Sequence, residues 1–295
     1  MKTIMPWISR HPVLSYYLGA FAISWGGTLI AIGGPSQLLA GEATAAVGAI
    51  VIMATVLGPA ISGVAMTFAV SGKAGLGELA SRVLKWRVDA RWYAAAILTA
   101  PLSVSAALLG LSLFSSEFLP VYLTTREPVE PGAFEVTGLS ILVAAAAAGI
   151  FEELGWTGFA KPRMTKRYGV LITGLGMGFL WGLWHLVSNL WGSANATGTL
   201  PLAIYMAALL FTFLPPYRVL MVWVYAHTES VLIAMLMHAS LVTFWLFSMP
   251  QGIAGAAQAT WYVVWGGVLW GAVAICVLLD RSRAVSPGGS REITA

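Results

Sequence analysis

Four ionisable side chains stand in surroundings that do not suit a charge. Glu152 and Glu153 close a run of small apolar residues, Val143 to Ile150. His185 lies within Trp181-Gly182-Leu183-Trp184-His185-Leu186, and His238 within Met235-Leu236-Met237-His238-Ala239-Ser240. An ionisable group in a bilayer is unfavourable by about 2.5 to 3.5 kcal/mol on insertion scales, so two adjacent carboxylates in such a run point to function. Two histidines and a carboxylate are a ligand set for catalytic zinc, with the fourth position left to water. The second carboxylate then serves as general base on that water. A metal-free version uses a desolvated glutamate, helped by a histidine, to activate water directly. Either version hydrolyses, and a peptide bond is the expected target. Neighbouring residues on a helix differ by about 100°, so Glu152 and Glu153 face different ways, which suits a division of roles. The competing reading puts the glutamates among lipid headgroups and makes each histidine a packing residue. His11 and His227 fall at predicted helix ends and read as interfacial.

The elements that must carry these residues follow from composition. Of 295 residues, 58% are hydrophobic and only 9% charged. Soluble domains carry about 25% charged residues, so a water-soluble surface cannot be built from this chain. The reading is an all-α, polytopic transmembrane bundle. A span needs about 20 apolar residues, and eight candidates occur: 13–32, 45–70, 92–114, 136–159, 170–191, 202–226, 231–247 and 260–279. Pro59 and the Pro215-Pro216 pair should kink or break the second and sixth. Gly174, Gly178 and Gly182 recur every four residues and predict a smooth face for close helix approach. His185 is placed beside that seam, deeper than the glutamates, so a shared site requires tilted helices or shifted boundaries. The one cysteine, Cys276, rules out an intramolecular disulfide. No cleavable signal peptide is evident, and no basic aromatic stripe suggests nucleic acid.

Charge sets the expected orientation. With the N-terminus inside, Lys2, Arg10, Lys73, Arg82, Lys85, Arg87, Arg91, Lys161, Arg163, Lys166, Arg167, Arg281, Arg283 and Arg291 all fall on the cytoplasmic side. Only Arg126 falls outside, and Arg218 lies within the sixth span. Lys and Arg govern orientation, so both termini are expected in the cytoplasm. Residues 74–92 read as an amphipathic helix with basic flanks suited to an anionic leaflet. Residues 160–168 read as an interfacial turn that keeps the glutamate pair near the cytoplasmic side. Residues 115–135 form the longest outside segment, and the tail, 281–295, is expected to be disordered.

Glu152-Glu153-Leu154-Gly155-Trp156, then Trp184-His185, then His238-Ala239-Ser240 resemble the CPBP family of intramembrane proteases. That family includes the type II CAAX prenyl endopeptidases and bacteriocin-immunity relatives. The resemblance covers about residues 70 to 250, including Leu84-Lys85-Trp86-Arg87-Val88, Arg91-Trp92-Tyr93 and Lys161-Pro162-Arg163. It implies that Glu152 and Glu153 supply water-activating or metal-binding carboxylates, that His185 assists, and that His238 is a further ligand or an oxyanion donor. If a divalent metal is used, zinc held by Glu153, His185 and His238 is expected. Three departures stand out. Thr157 replaces the usual Arg, Trp181 the usual Phe, and Val242 the usual Asn, whose amide is implied in oxyanion stabilisation. The Trp181 exchange reads as mild. Ser240 or Thr243 are the candidates to stand in for the missing amide. Arg218, just after Pro215-Pro216, is a candidate to restore the charge missing at 157 by pairing with a glutamate.

The resulting organisation is residues 1–70 as the first two helices, 71–91 as a cytoplasmic amphipathic segment, 92–250 as the protease-like core, 251–280 as the last span and 281–295 as the tail. The expected activity is endopeptidase action on membrane-associated or lipid-modified proteins near the cytoplasmic leaflet of a bacterial plasma membrane. The bilayer and a peptide or lipid-modified protein are the expected partners, with no nucleic acid. The alternatives are a non-catalytic immunity or partner-binding relative, favoured by Thr157 and Val242, and an ion-coupled transporter, for which no repeat symmetry is visible.

Overall fold

In lipid, each backbone N–H and C=O must be satisfied within its own segment, which leaves helices for a chain of this pattern. The computed structural model describes residues 4–39, 45–124, 138–193, 197–250 and 252–285, and no strand occurs among them. The helices are α1 (Ile4–Arg10), α2 (Pro12–Ile32), α3 (Ala45–Val83), α4 (Ala90–Ser112), α5 (Gly138–Gly155), α6 (Lys161–Trp184), α7 (Leu186–Ser193), α8 (Leu202–Phe211), α9 (Leu214–Thr228), α10 (Val231–Ser248) and α11 (Gly255–Val285). Among the described residues, seven helical stretches are long and apolar enough to cross a membrane. The protein is a multi-pass integral membrane protein.

One of those stretches, Ser140–Trp184, is 45 residues long and holds two of the eight predicted spans. It runs from α5 through a π-helical turn, Trp156–Ala160, into α6. Its backbone leaves helical dihedrals at Gly169, with φ 72° and ψ 177°, a positive φ that glycine tolerates best. Trp181 Nε1 lies 2.8 Å from Glu152 Oε2, although 29 residues separate them. A straight helix would hold them about 43 Å apart at 1.5 Å per residue. The chain therefore folds back at Gly169 and makes two antiparallel legs. The rings of Trp156 and Trp184, 5.5 Å apart, meet across the same fold.

A second reversal occurs at Gly72, with φ 60° inside α3. Gly63 packs against Gly155 before it and Leu79 against Gly158 after it, so both arms reach the same level of the neighbouring helix. Pro59 lies inside α3 on the near side of this break. Pro215 and Pro216 do break their span: α8 ends at Phe211 and the prolines open α9. The expected helix over 74–92 ends at Val83, and Asp89 caps a new one by accepting from the Arg91 backbone N–H. Leu79 is buried, whereas Leu84 and Trp86 are exposed beside Arg87. The last helix runs on to Val285, past the predicted start of the tail. The rest of the tail, Lys2, Glu42 and residues 125–137 of the expected outside segment, including Arg126, Glu127, Glu130 and Glu135, lie outside the described residues.

The glycine seam works as predicted. A Cβ on Gly174 would lie 2.6 Å from Val219 Cα, on Gly178 2.5 Å from Pro215 Cα, and on Gly182 2.3 Å from the Leu210 carbonyl oxygen. The second leg of α6 is thus pressed backbone to backbone on α8 and α9. This contact carries Arg218 to the glutamates.

Candidate active site

Each glutamate is held first by its own helix. Trp156 and Thr157 stand four residues after Glu152 and Glu153, one turn on and on the same face. Trp156 Nε1 donates to Glu152 Oε2 at 3.3 Å, and the Thr157 hydroxyl donates to Glu153 Oε2. The π-helical turn that holds Trp156 and Thr157 follows directly; such turns are frequent at functional sites.

The two carboxylates then part. Glu153 is fully buried. Arg218 Nη1 donates to its Oε1 and Oε2 at 2.8 and 3.0 Å. His238 Nδ1 lies 2.7 Å from Glu153 Oε1. The Arg218 guanidinium also lies over the Trp181 ring, 4.1 Å from its centre, a cation–π contact that helps to offset desolvation. Its Nε and Nη2 find no hydrogen-bond partner among the described residues. Arg218 therefore supplies a positive charge beside Glu153 where Thr157 supplies none.

Glu152 faces the other way. Its Oε2 accepts from Trp181 Nε1 at 2.8 Å, and its Oε1 lies 3.8 Å from His238 Nε2. Trp181 is thus more than a mild exchange: its indole N–H reaches the carboxylate, and a phenylalanine has no such donor. Glu152, His238 and His185 line one cavity of about 330 Å³, and Glu153 and Arg218 stand behind its wall. The depth conflict between His185 and the glutamates disappears because helix runs on from α5 through the π-helical turn and the first part of α6 to Gly169. The pair then sits mid-helix, eight residues or about 12 Å before Lys161, rather than at a helix end.

Val242 lines the cavity beside His238, where an amide would have reached in. Ser240 donates to the Ile97 carbonyl instead, away from the cavity. Ser188 and Asn189, polar side chains in the wall, come from the short helix α7, Thr55 adds a hydroxyl from α3, and Asn189 Nδ2 donates to the His185 carbonyl. His227 lies apart, stacked on Trp92 with its Nδ1 2.9 Å from the Trp223 carbonyl oxygen; His11 is exposed near Trp7.

A zinc site on Glu153, His185 and His238 does not fit this arrangement. Glu153 already meets Arg218, His238 and Thr157 with both oxygens. The Arg218 guanidinium supplies the charge neutralisation that a metal would give, and His238 Nδ1 is engaged by the same carboxylate. Among the described residues, no group of three or more His, Cys, Asp or Glu side chains is placed to hold a metal ion.

Fold and site together define a polytopic helical protein with a carboxylate–histidine cavity inside the membrane. A family model described as Type II CAAX prenyl endopeptidase Rce1-like matches residues 135–244, the segment that holds all four predicted site residues. The chain is also 23% identical over 150 residues to CAAX prenyl protease 2 of Methanococcus maripaludis, a match that covers 50% of this chain and 53% of that protein. The chain thus spans about half the length of the curated relative it matches. Both matches bear out the resemblance to the CPBP family, the family model over the segment that carries the site.

Proposed function

We propose that this protein is an intramembrane endopeptidase in which Glu152 is the general base and His238 the facing donor. One observation carries the reading. Glu152 Oε1 and His238 Nε2 confront each other at 3.8 Å on the cavity wall, while Glu152 Oε2 and His238 Nδ1 are held by Trp181 and Glu153. Both reactive atoms are pre-oriented, as positioned acid–base catalysis requires.

The buried charges support the same assignment. Arg218 offsets Glu153, which leaves Glu152 as the carboxylate that faces the cavity, and His238, with Nδ1 engaged by Glu153, turns Nε2 toward the same space. Water on Glu152 Oε1 gives up a proton to the carboxylate as its oxygen bonds to the peptide carbonyl carbon. The carbonyl electron pair moves to oxygen, which accepts a hydrogen bond from His238 Nε2–H. The C–N bond then breaks, and the amine nitrogen takes the proton from Glu152. The products are a carboxylic acid and an amine. His185 shares the cavity and can contact the water or the substrate. Glu153, Arg218 and the Trp181 indole are positioning residues.

The relatives' names make lipid-modified peptides the first substrates to try. An internally quenched farnesylated peptide, and the same peptide without lipid, are incubated with the purified protein in proteoliposomes. Wild type should cleave, and a folded Glu152→Gln variant should lose at least 10²-fold in kcat/KM. Wild-type turnover by Glu152→Gln would overturn the assignment of Glu152, and no cleavage of either peptide by wild type would favour the partner-binding reading.

A further inference from the structure

The direction in which the cavity opens follows from the residues that line it. Glu152, Trp181 and His238 mark its inner end. From α3 the lining residues are Gly48, Val51, Ile52, Thr55 and Val56, all on the N-terminal side of Pro59, where α3 meets Gly155. From α5 they are Ala144 and Ala148, both before Glu152. On the rising leg, they are His185, Ser188, Asn189 and Trp191, at or beyond the end of α6. From α8 and α9 they are Leu209, Leu210, Phe213 and Leu214, all before Arg218. From α10 they are Leu241, Val242, Trp245 and Leu246, all after His238.

Every contributing element therefore lines the cavity on the same side of the glutamate level. The cavity climbs from Glu152 to Ala144 and from His238 to Leu246, eight residues in each case, or about 12 Å at 1.5 Å per residue. Leu246 is two residues from the end of α10 and Gly48 three from the start of α3, so the cavity reaches that end of the bundle. In the opposite direction Trp156, Phe159, Tyr16, Tyr217 and Arg218 are all buried and close the floor.

The basic residues gather at the closed end. Arg82 Nη1 donates to the Tyr225 hydroxyl, Lys161 lies over the Tyr225 ring, and Lys85 pairs with Glu229. Tyr225 and Glu229 are at the C-terminal end of α9. Arg163 donates to the Phe159 carbonyl from the same end, and Arg167 and Lys166 precede the Gly169 reversal. Basic residues near span ends mark the cytoplasmic side.

We propose that the cavity is entered from the extracytoplasmic side of the membrane, and that its substrate is an extended apolar peptide segment tethered at the outer leaflet. This rests on the endopeptidase reading for its chemistry, but not for its orientation. Apart from Glu152, the histidines, Thr55 and the α7 side chains, the lining is apolar or aromatic, which suits apolar side chains on the way in. A 12 Å descent needs about four extended residues at 3.3 Å each. A folded domain cannot bring a peptide bond to Glu152, whereas an unfolded stalk or a loosened chain end can. A substrate met at the cytoplasmic leaflet, the expectation from sequence, is the opposing outcome of the test.

The test uses full-length protein in intact cells with Cys276→Ala as background. Ser188→Cys places a near-isosteric thiol in the cavity wall, with Asn189→Cys as a second reporter should the first fold poorly. Ser81→Cys places one at the basic end. Cells are treated with a membrane-impermeant maleimide, with and without permeabilisation. Ser188→Cys or Asn189→Cys should label in intact cells, and Ser81→Cys only after permeabilisation. The reverse pattern, or a cavity thiol that labels only after permeabilisation, overturns the proposal. A second arm adds an impermeant quenched apolar peptide to the outside of right-side-out vesicles. If the labelling is as expected but neither wild type nor Val242→Asn cleaves the peptide from either side, the endopeptidase reading fails and the orientation stands.

Discussion

Arg218→Met tests the structure most directly. The substitution keeps the length of the side chain and removes its charge, leaving Glu153 fully buried with only Thr157 and His238 as partners. Breaking a buried ion pair by removing one member is unfavourable by about 3 to 5 kcal/mol, because an uncompensated charge remains. At about 2 to 4 °C per kcal/mol, the thermal midpoint in detergent should fall by about 6 to 20 °C. Glu153→Gln combined with Arg218→Met should lose less than the two single variants added together, by about 0.5 to 3 kcal/mol, the range for residues in direct contact. Thr157→Arg in the Arg218→Met background returns a guanidinium one helical turn from Glu153 and should recover part of both stability and activity. Arg218→Lys should fall between, since an ammonium cannot lie flat on Trp181 or offer a planar fork. Additive losses, or an unchanged midpoint for Arg218→Met, would refute the idea that this pair organises the site.

Trp181→Phe restores the residue usual in the family and deletes the 2.8 Å bond to Glu152; turnover should fall by about 10- to 100-fold, corresponding to about 1 to 3 kcal/mol for a buried partner left short of a donor, and an unchanged kcat would contradict the role given to the indole. Val242→Asn adds an amide to the cavity wall beside His238, and kcat should rise by up to about 10²-fold, the scale of one oxyanion donor; a fall or no change counts against His238 as the oxyanion side. Gly178→Val and Gly182→Val drive side chains into Pro215 and Leu210, and each should lower stability by about 1 to 3 kcal/mol, read as a lower thermal midpoint with loss of the Arg218 contact. Zinc content of purified protein should be well below one per chain and unchanged in His185→Ala and His238→Ala; near-stoichiometric zinc lost in both variants would overturn the placement of Glu153 as an arginine-bound anchor.

Much of this arrangement is legible in the chain because lipid permits so few structures. The predicted spans begin or end within a few residues of α2, α4 and α10, since a long apolar run in a bilayer can only be helical. The glutamates and histidines are visible as costly groups in those runs, and the spacing of Gly174, Gly178 and Gly182 announces the close helix contact found there. The i, i+4 pairs Glu152–Trp156 and Glu153–Thr157 are equally readable from spacing. The depth of the site is harder to read, because composition does not show that helix continues past Phe159 to Gly169 before the chain turns back. Trp181 is hidden for a different reason: an indole reads as packing unless its N–H is known to meet an acceptor across 29 residues. The mouth of the cavity depends on which side chains of several separate helices stop short of one another, and no local pattern encodes that.

The separation of Glu153 from Arg218 has a consequence for how the protein is made. The two residues are 65 positions apart in the chain. At about 5 to 20 residues per second, the ribosome delivers the guanidinium about 3 to 13 seconds after the carboxylates. Trp181 follows Glu152 by 29 residues, so its donor also arrives late. During that interval α5 holds two acidic side chains with only Trp156 and Thr157 to serve them. Such a segment has little reason to leave the translocation channel for lipid alone. Its release into the bilayer should wait for α6 and α9, so that the residues forming the cavity floor also set the order in which the helices enter the membrane.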